Sequence, residues 1–426
     1  MSRRRWVLRG MVAFLGVVVF GVGWGLSRLR TQGLADRLAR EVQSLPTGPF
    51  PRPVAGAVAV PGTFADAAVA PLATLTEALR RAPDAEVCRA VREGDKPWAE
   101  VTPLCTHALE QSRAPLHGLL HATDATSAAP LPGWGALEGP ERASSASRDY
   151  GVVLFAAKLA ALELRERLAA GDVAGAMEDC VGLLGLARDL SYGTSTLGRG
   201  VGIGVSDRAF RGCVAVADAG SPGVKEALRH AVQAVEQGMP AFQDTVRAWS
   251  VATLLRGFGA FLGPRLGTLP LGAQRIAQTG SPPRSFSPRE TFWLKDFWHR
   301  AQDRMDGFVE ASGFSLARRF AALDALGSAQ THAFNPIGRE AYPDIHLLAL
   351  VDQRSRDELG LLRCAIAVDT ARSGKGAWPK AADLPVADCG ENPGPRYRLE
   401  EKKGALELTD SAAARGDLTV VLHPGP

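Results

Sequence analysis

Residues 150–190 read YGVVLFAAKLAALELRERLAAGDVAGAMEDCVGLLGLARDL, and this stretch decides the fold. Apolar residues recur at helical spacing over 150–169 and again over 173–190, where Ala176, Cys180, Leu183, Leu184 and Ala187 share one face. Between the runs stands Ala170-Gly171-Asp172. Glycine supplies the left-handed residue that ends one helix, and aspartate caps the next by accepting from its free amides. So short a link folds the second helix back on the first, giving an antiparallel helical hairpin.

Outward from the hairpin the pattern stays helical. Helices are predicted over 197–219 and 222–237, and upstream from Val69, where Leu72, Leu75 and Leu79 share a face until Pro83-Asp84. The stretch 98–122 gives one or two more, interrupted by Pro103 and Pro115, and 123–147 reads as an exposed Pro/Gly/Ser/Ala loop. Downstream, 242–262 reads as a helix ending at Gly263-Pro264, with an irregular Pro-rich stretch before a helix at 291–309. No second copy of the hairpin occurs at a period of about 34, so a repeat array is not supported. The C-terminal part changes character. A helix over 352–372 stops at Ser373-Gly374-Lys375-Gly376, and 397–401 and 405–409 alternate as a β-hairpin to which 418–422 adds a strand. The expected fold is mainly α: a helical body over 69–340 and a small α+β unit, a helix on an antiparallel meander, over 341–426.

Residues 11–26, MVAFLGVVVFGVGWGL, carry no charge, and their flanks extend them towards the roughly 20 residues that span a bilayer. Trp6 and Trp24 suit the two interfaces, and no small-x-small cleavage site follows, since Ser27-Arg28-Leu29-Arg30 comes next. A single transmembrane signal anchor within 1–30 is therefore expected, contacting the bilayer through 10–26. Its Arg-rich tip would lie in the cytoplasm and the body in the periplasm, lifted by a stalk over 31–68. The anchor region also explains the net charge of +4. Arg3, Arg4, Arg5, Arg9, Arg28 and Arg30 account for six of the 49 basic residues, leaving 43 against 45 acidic ones. A body without excess cations does not bind nucleic acid through counterion release.

Six cysteines fall into sequence-local pairs, Cys88 with Cys105, Cys180 with Cys213 and Cys364 with Cys389. An oxidising periplasm would bridge them, although six cysteines allow 15 connectivities and six buried thiols are the alternative. No CxxC occurs, so a zinc ribbon is excluded.

The hairpin with its following LARDLSYGTSTLGRGVGIGVSDRAF, the Phe334-Asn335-Pro336-Ile337-Gly338-Arg339 stretch and ELGLLRCAIAVDTARSGKGAWPKAADL resemble a group of uncharacterised signal-anchored helical envelope proteins of GC-rich bacteria. The last segment also resembles the soluble part of type II secretion pseudopilins, where a helix, a Gly-x-aromatic-Pro turn (here ending in Trp378-Pro379) and a small meander follow one another. In a pseudopilin the apolar helix directly precedes this unit, behind a peptidase site with a nearby Glu. Here the apolar segment lies about 330 residues upstream with no Glu beside it, so assembly into a pseudopilus is not implied.

Catalytic motifs are sparse. No P-loop occurs, the glycines at 198, 200, 202 and 204 complete no GxGxxG, and Arg208 takes the place of the second glycine of a nucleophile elbow around Ser206. The one histidine cluster is His107, His117 and His121. The last two, at i and i+4, can share a metal, but HGLLH places Gly118 where HExxH supplies its general base. Trp293, Phe297 and Trp298 form a candidate interface on the 291–309 helix, core-facing in one reading and lipid- or partner-facing in the other. No cofactor is implied. The expectation is a non-catalytic periplasmic scaffold or adaptor with a protein partner in the cell envelope. The alternatives are a hydrolase or metal-dependent enzyme using the three histidines, and an interfacial lipid-binding protein.

Overall fold

The computed structural model describes residues 3–423 except 57, 82–84, 86, 89–97, 138–139, 194, 281–287, 315, 329–344, 381–382, 391–395, 403 and 414–415. Pro83-Asp84 and the 334–339 stretch thus lie outside the described residues, as do the side chains of Trp293 and Phe297. The chain is mainly helical. Helix α1 (Arg3–Ser44) leads to strands β1 (Phe50–Pro51) and β2 (Val60–Thr63), then to α2 (Phe64–Arg81), α3 (Pro103–His121) and β3 (Ala125–Ala128). The hairpin is α4 (Pro140–Ala169) and α5 (Val173–Asp189), followed by α6 (Thr196–Ala219) and α7 (Pro222–Gln237). Next come α8 (Phe242–Phe258), a 3-10 segment (Gly259–Thr268), α9 (Leu271–Gly280), α10 (Pro288–Ser312) and α11 (Leu316–Ser328). Helix α12 (Ile345–Lys375), a one-turn helix (Val386–Cys389) and strands β4 (Tyr397–Lys402), β5 (Ala405–Asp410) and β6 (Leu418–Leu422) follow.

Local chemistry sets the hairpin as expected. Gly171 has φ +79°, and the Asp172 carboxylate accepts from the Gly175 amide at 2.9 Å. Ser221 caps α7 with Pro222 in its first turn, where a missing N–H costs nothing. Pro115, read as an interruption, is carried inside α3, and Pro103 stands in that helix's first turn. At the C-terminal end, β4 pairs antiparallel with β5 and β5 with β6. Alternation turns Leu406, Leu408, Leu418, Val420 and Leu422 inward. The Trp378 turn folds back on this sheet: its indole donates to the Gly404 carbonyl at 3.4 Å and lies under the Arg372 guanidinium.

Buried side chains form two cores. The first joins α2–α7, the middle of α12 and the C-terminal sheet. The second joins the end of α1, α8–α11, the 3-10 segment and the start of α12. The three cysteine pairs sit at disulfide distance, with Cα separations of 5.1 Å for Cys88–Cys105, 5.3 Å for Cys180–Cys213 and 4.6 Å for Cys364–Cys389. All six sulfurs belong to the first core.

Three stretches differ from expectation. The segment 31–68, read as a stalk, is packed into the body. Ala35, Leu38, Ala39, Val42 and Leu45 are buried in the second core, and β1 and β2 flank β3 in a mixed sheet. The stretch 123–147, read as an exposed loop, contains β3 and buries Trp134 against the Tyr150 ring, 3.9 Å between centroids. Short strands paired across distant sequence satisfy the backbone without any periodic signal. Thirdly, the apolar run is not a separate span but part of the continuous α1. Among the described residues no helix is long and apolar enough to cross a membrane. Of the run's described side chains, Phe14, Leu15, Val17, Val18 and Val22 are exposed.

Candidate functional site

Helices α3, α4 and α5 meet beside the hairpin turn and enclose one wall of a cavity of about 530 Å³. Val54, Ala55, Gly56 and Val58, from the segment read as a stalk, line its other side. The fit there is close: a Cβ on Gly56 would meet an Asp124 carboxylate oxygen at 1.9 Å. His117 comes from α3, Glu163 and Arg167 from α4, and Asp179 from α5.

The His117 Nε2 lies 2.8 Å from Glu163 Oε1 and 3.2 Å from Arg167 Nη2. Arg167 reaches Asp179 Oδ2 through Nε at 3.2 Å and Glu163 Oε1 through Nη2 at 3.5 Å. Arg113, one turn before His117, pairs with Glu166 at 2.7 Å and approaches Glu163 at 3.7 Å. The Glu163 side chain is fully buried and Asp179 is 4% exposed, yet among the described residues Glu163 Oε2 has no hydrogen-bond partner and Asp179 Oδ2 has only its ion pair with Arg167. Burial and then the neighbouring Glu163 push the Asp179 carboxyl up to about 7, against the opposing pull of Arg167. One imidazole nitrogen and two carboxylate oxygens thus come within 4.8 Å of one another, a donor set able to hold a cation or relay a proton.

Of the histidines expected to act together, His117 and His121 line this cavity, with His230 from α7 as a third that sequence spacing did not suggest. His121 leans on Asp124 at 3.4 Å. His107 pairs with Gln111 at 3.0 Å, outside the cavity lining. Glu163 and Asp179 escaped notice. Their signal is placement: Leu159, Glu163 and Arg167 follow at i, i+4, i+8, and Asp179 stands between Ala176 and Cys180, so both acids occupy core positions of the hairpin.

The remaining motif residues are structural. Within the run of glycines Gly202 is held by packing, since a Cβ there would come within 2.6 Å of the Ala187 carbonyl, whereas Gly200 faces open space. Ser206 hydrogen-bonds Ser355 on α12 at 2.8 Å. In the stretch after the hairpin, Arg188 and Asp189 pair at 2.9 Å, and Arg52 joins Asp189 at 2.5 Å. Arg188 and Arg52 also donate to the carbonyls of Pro53, Thr123 and Ala125, pinning β1 and β3 to α5. Arg199 spans from α6 to Asp352 at 2.7 Å and to the Pro240 carbonyl at 3.1 Å. Trp298, read as one third of an interface, is instead buried, with its ring stacked 5.1 Å from Phe258 and 5.7 Å from Phe261. An indole enclosed by two phenyl rings is not offered to lipid or partner.

The chain matches no protein-family model, no curated protein and no solved structure.

Proposed function

We propose that this is a single-pass protein of a bacterial inner membrane, anchored through 10–26. Its body acts in the periplasm as a non-catalytic scaffold or adaptor beside a secretion or pilus-like machine. The observation that carries the anchor is on α1. Phe14, Leu15, Val17, Val18 and Val22 stand exposed on one arc of a helix whose far end, Ala35 to Val42, is buried in the second core. Water does not stabilise so large an uncovered apolar face; lipid does. The three bridged pairs support an oxidising compartment. The pseudopilin resemblance supports the adaptor role of the C-terminal meander.

Because α12 packs into both cores, deleting the C-terminal unit would unfold the chain, so surface variants are the sounder test. Crosslinked pull-down from native membranes should recover defined envelope proteins, weakened by Val421→Glu with Arg398→Glu on the exposed sheet face. Background recovery alone ends the adaptor reading, and release of the chain by alkaline carbonate ends the anchor.

A second reading, a metal-dependent hydrolase, has its own observation in the cavity that brings His117 to two buried acids. Ester or phosphoester turnover lost in His117→Ala supports it.

A further inference from the structure

We infer that His117, Glu163 and Asp179 form a binding site for one divalent transition-metal ion, of the kind represented by zinc and cobalt(II). This rests on the cavity used by the hydrolytic reading but needs no turnover. The donors are one imidazole nitrogen and two carboxylates from three helices, a mixed nitrogen and oxygen set that suits zinc-like ions better than magnesium or calcium. The Nε2 of His117 and Oε1 of Glu163, 2.8 Å apart, need a proton or a cation between their lone pairs. Adjacent ligands on a metal with bonds of about 2.0–2.2 Å sit roughly 3 Å apart, so this pair already has the spacing. Asp179 closes the set from within 4.8 Å.

An independent observation points the same way. Among the described residues Glu163 Oε2 is buried with no hydrogen-bond partner, and buried Asp179 Oδ2 meets only Arg167 Nε, as an ion pair at 3.2 Å without hydrogen-bond geometry. Leaving a buried acceptor such as Glu163 Oε2 without a donor is costly, and a cation between the two side chains satisfies it while replacing Arg167 at Asp179. Access is open, because His117 is 34% exposed at the cavity.

Arg167 supplies the positive charge in the metal-free arrangement, touching all three donors. It also has somewhere to go. Asp172 and Glu178, exposed carboxylates at the rim, lie 3.9 Å and 4.0 Å from its Nη1. Metal entry displaces the guanidinium towards them, so arginine and metal compete for one place.

The test uses the full-length chain, purified in mild detergent with a tag other than polyhistidine and titrated with Co²⁺ by calorimetry and visible d–d absorption. One equivalent should bind, at least tenfold more weakly in His117→Ala, Glu163→Gln and Asp179→Asn, and unchanged in His107→Ala. Arg167→Met removes the competing cation and should bind at least tenfold more tightly, which reads the site even if a ligand variant fails to fold. Absence of stoichiometric binding, equal affinity across folded ligand variants, or weaker binding by Arg167→Met overturns the inference. Stoichiometric Co²⁺ without ester turnover upholds the metal site and ends the hydrolytic reading. Turnover that persists in EDTA with no Co²⁺ uptake overturns the metal site and assigns the hydrolysis to chemistry that needs no metal.

Discussion

The two cores hold their helices by different means. The first is cross-linked three times and carries buried arginine–aspartate pairs at its joints. The second holds no cysteine and relies on rings: Trp298 between Phe258 and Phe261, and Trp249 edge-on to Phe308 at 6.1 Å. A cross-link stabilises mainly by shrinking the unfolded ensemble, whereas a buried ring stabilises by the apolar surface it removes from water. The part of the body continuous with α1 is thus the part whose stability is indifferent to redox poise.

Reduction should separate them most strongly. Loops of 17, 33 and 25 residues each contribute about 3–4 kcal/mol in the chain-entropy account, so losing all three costs up to about 10 kcal/mol. Hydrogen exchange with and without reductant should rise in α3–α6 and the middle of α12 while α8 and α10 stay protected. Equal rises in both cores would mean that they unfold as one unit. The mirror experiment is Trp298→Ala, expected to cost about 3–5 kcal/mol. Exchange should then rise in α8 and α10 with the oxidised first core unchanged. Trp298→Phe should cost less, because it also removes an indole N–H that has no hydrogen-bond partner among the described residues.

How much of this was legible in the sequence follows the same division. The hairpin, α7 and the C-terminal strands were readable because Gly171-Asp172, Ser221-Pro222 and the alternation over 397–422 act over a few residues. The cysteine pairing was readable because each pair is local. The β1–β3 pairing was not. Phe50 faces Ala128 across the intervening sequence in a strand too short to show a period. Trp298 carried the same ambiguity, since a ring on an amphipathic helix looks alike whether it meets lipid or two phenylalanines. In the candidate site, His117 was visible as half of an i, i+4 pair, but its acidic neighbours were masked by the leucines around Glu163 and the alanine and cysteine beside Asp179.

Where the cores meet, Asp352 receives Arg199 at 2.7 Å and Arg356 at 3.1 Å, and both arginines donate to the Pro240 carbonyl. Asp352→Asn keeps the shape but leaves Arg199 buried without its counter-charge, at a cost of about 3 kcal/mol. Because the node joins α6 to the helix shared by both cores, exchange should rise on either side of it. A rise confined to the first core would place the coupling elsewhere.

The smallest effect should be a gain, and it distinguishes charge burial from packing within the first core. Glu358 is buried on α12 with Arg354 and Arg211 near it and Asp207 and Asp357 adding like charge. Burial first, then Asp207, push its carboxyl up to about 7, while in the unfolded chain it titrates near 4.5. Between those values the folded protein keeps a proton that the unfolded chain has released. Stability therefore falls as pH rises through this window, and the full penalty stands above it. Glutamine keeps the shape and never ionises. Glu358→Gln should leave the melting temperature unchanged near pH 4 and raise it at pH 8 by about 2–4 °C, the shift expected for roughly 1 kcal/mol. An equal shift at both pH values would assign the effect to packing around the amide; no shift at pH 8 would mean that Arg354 and Arg211 already neutralise the carboxylate.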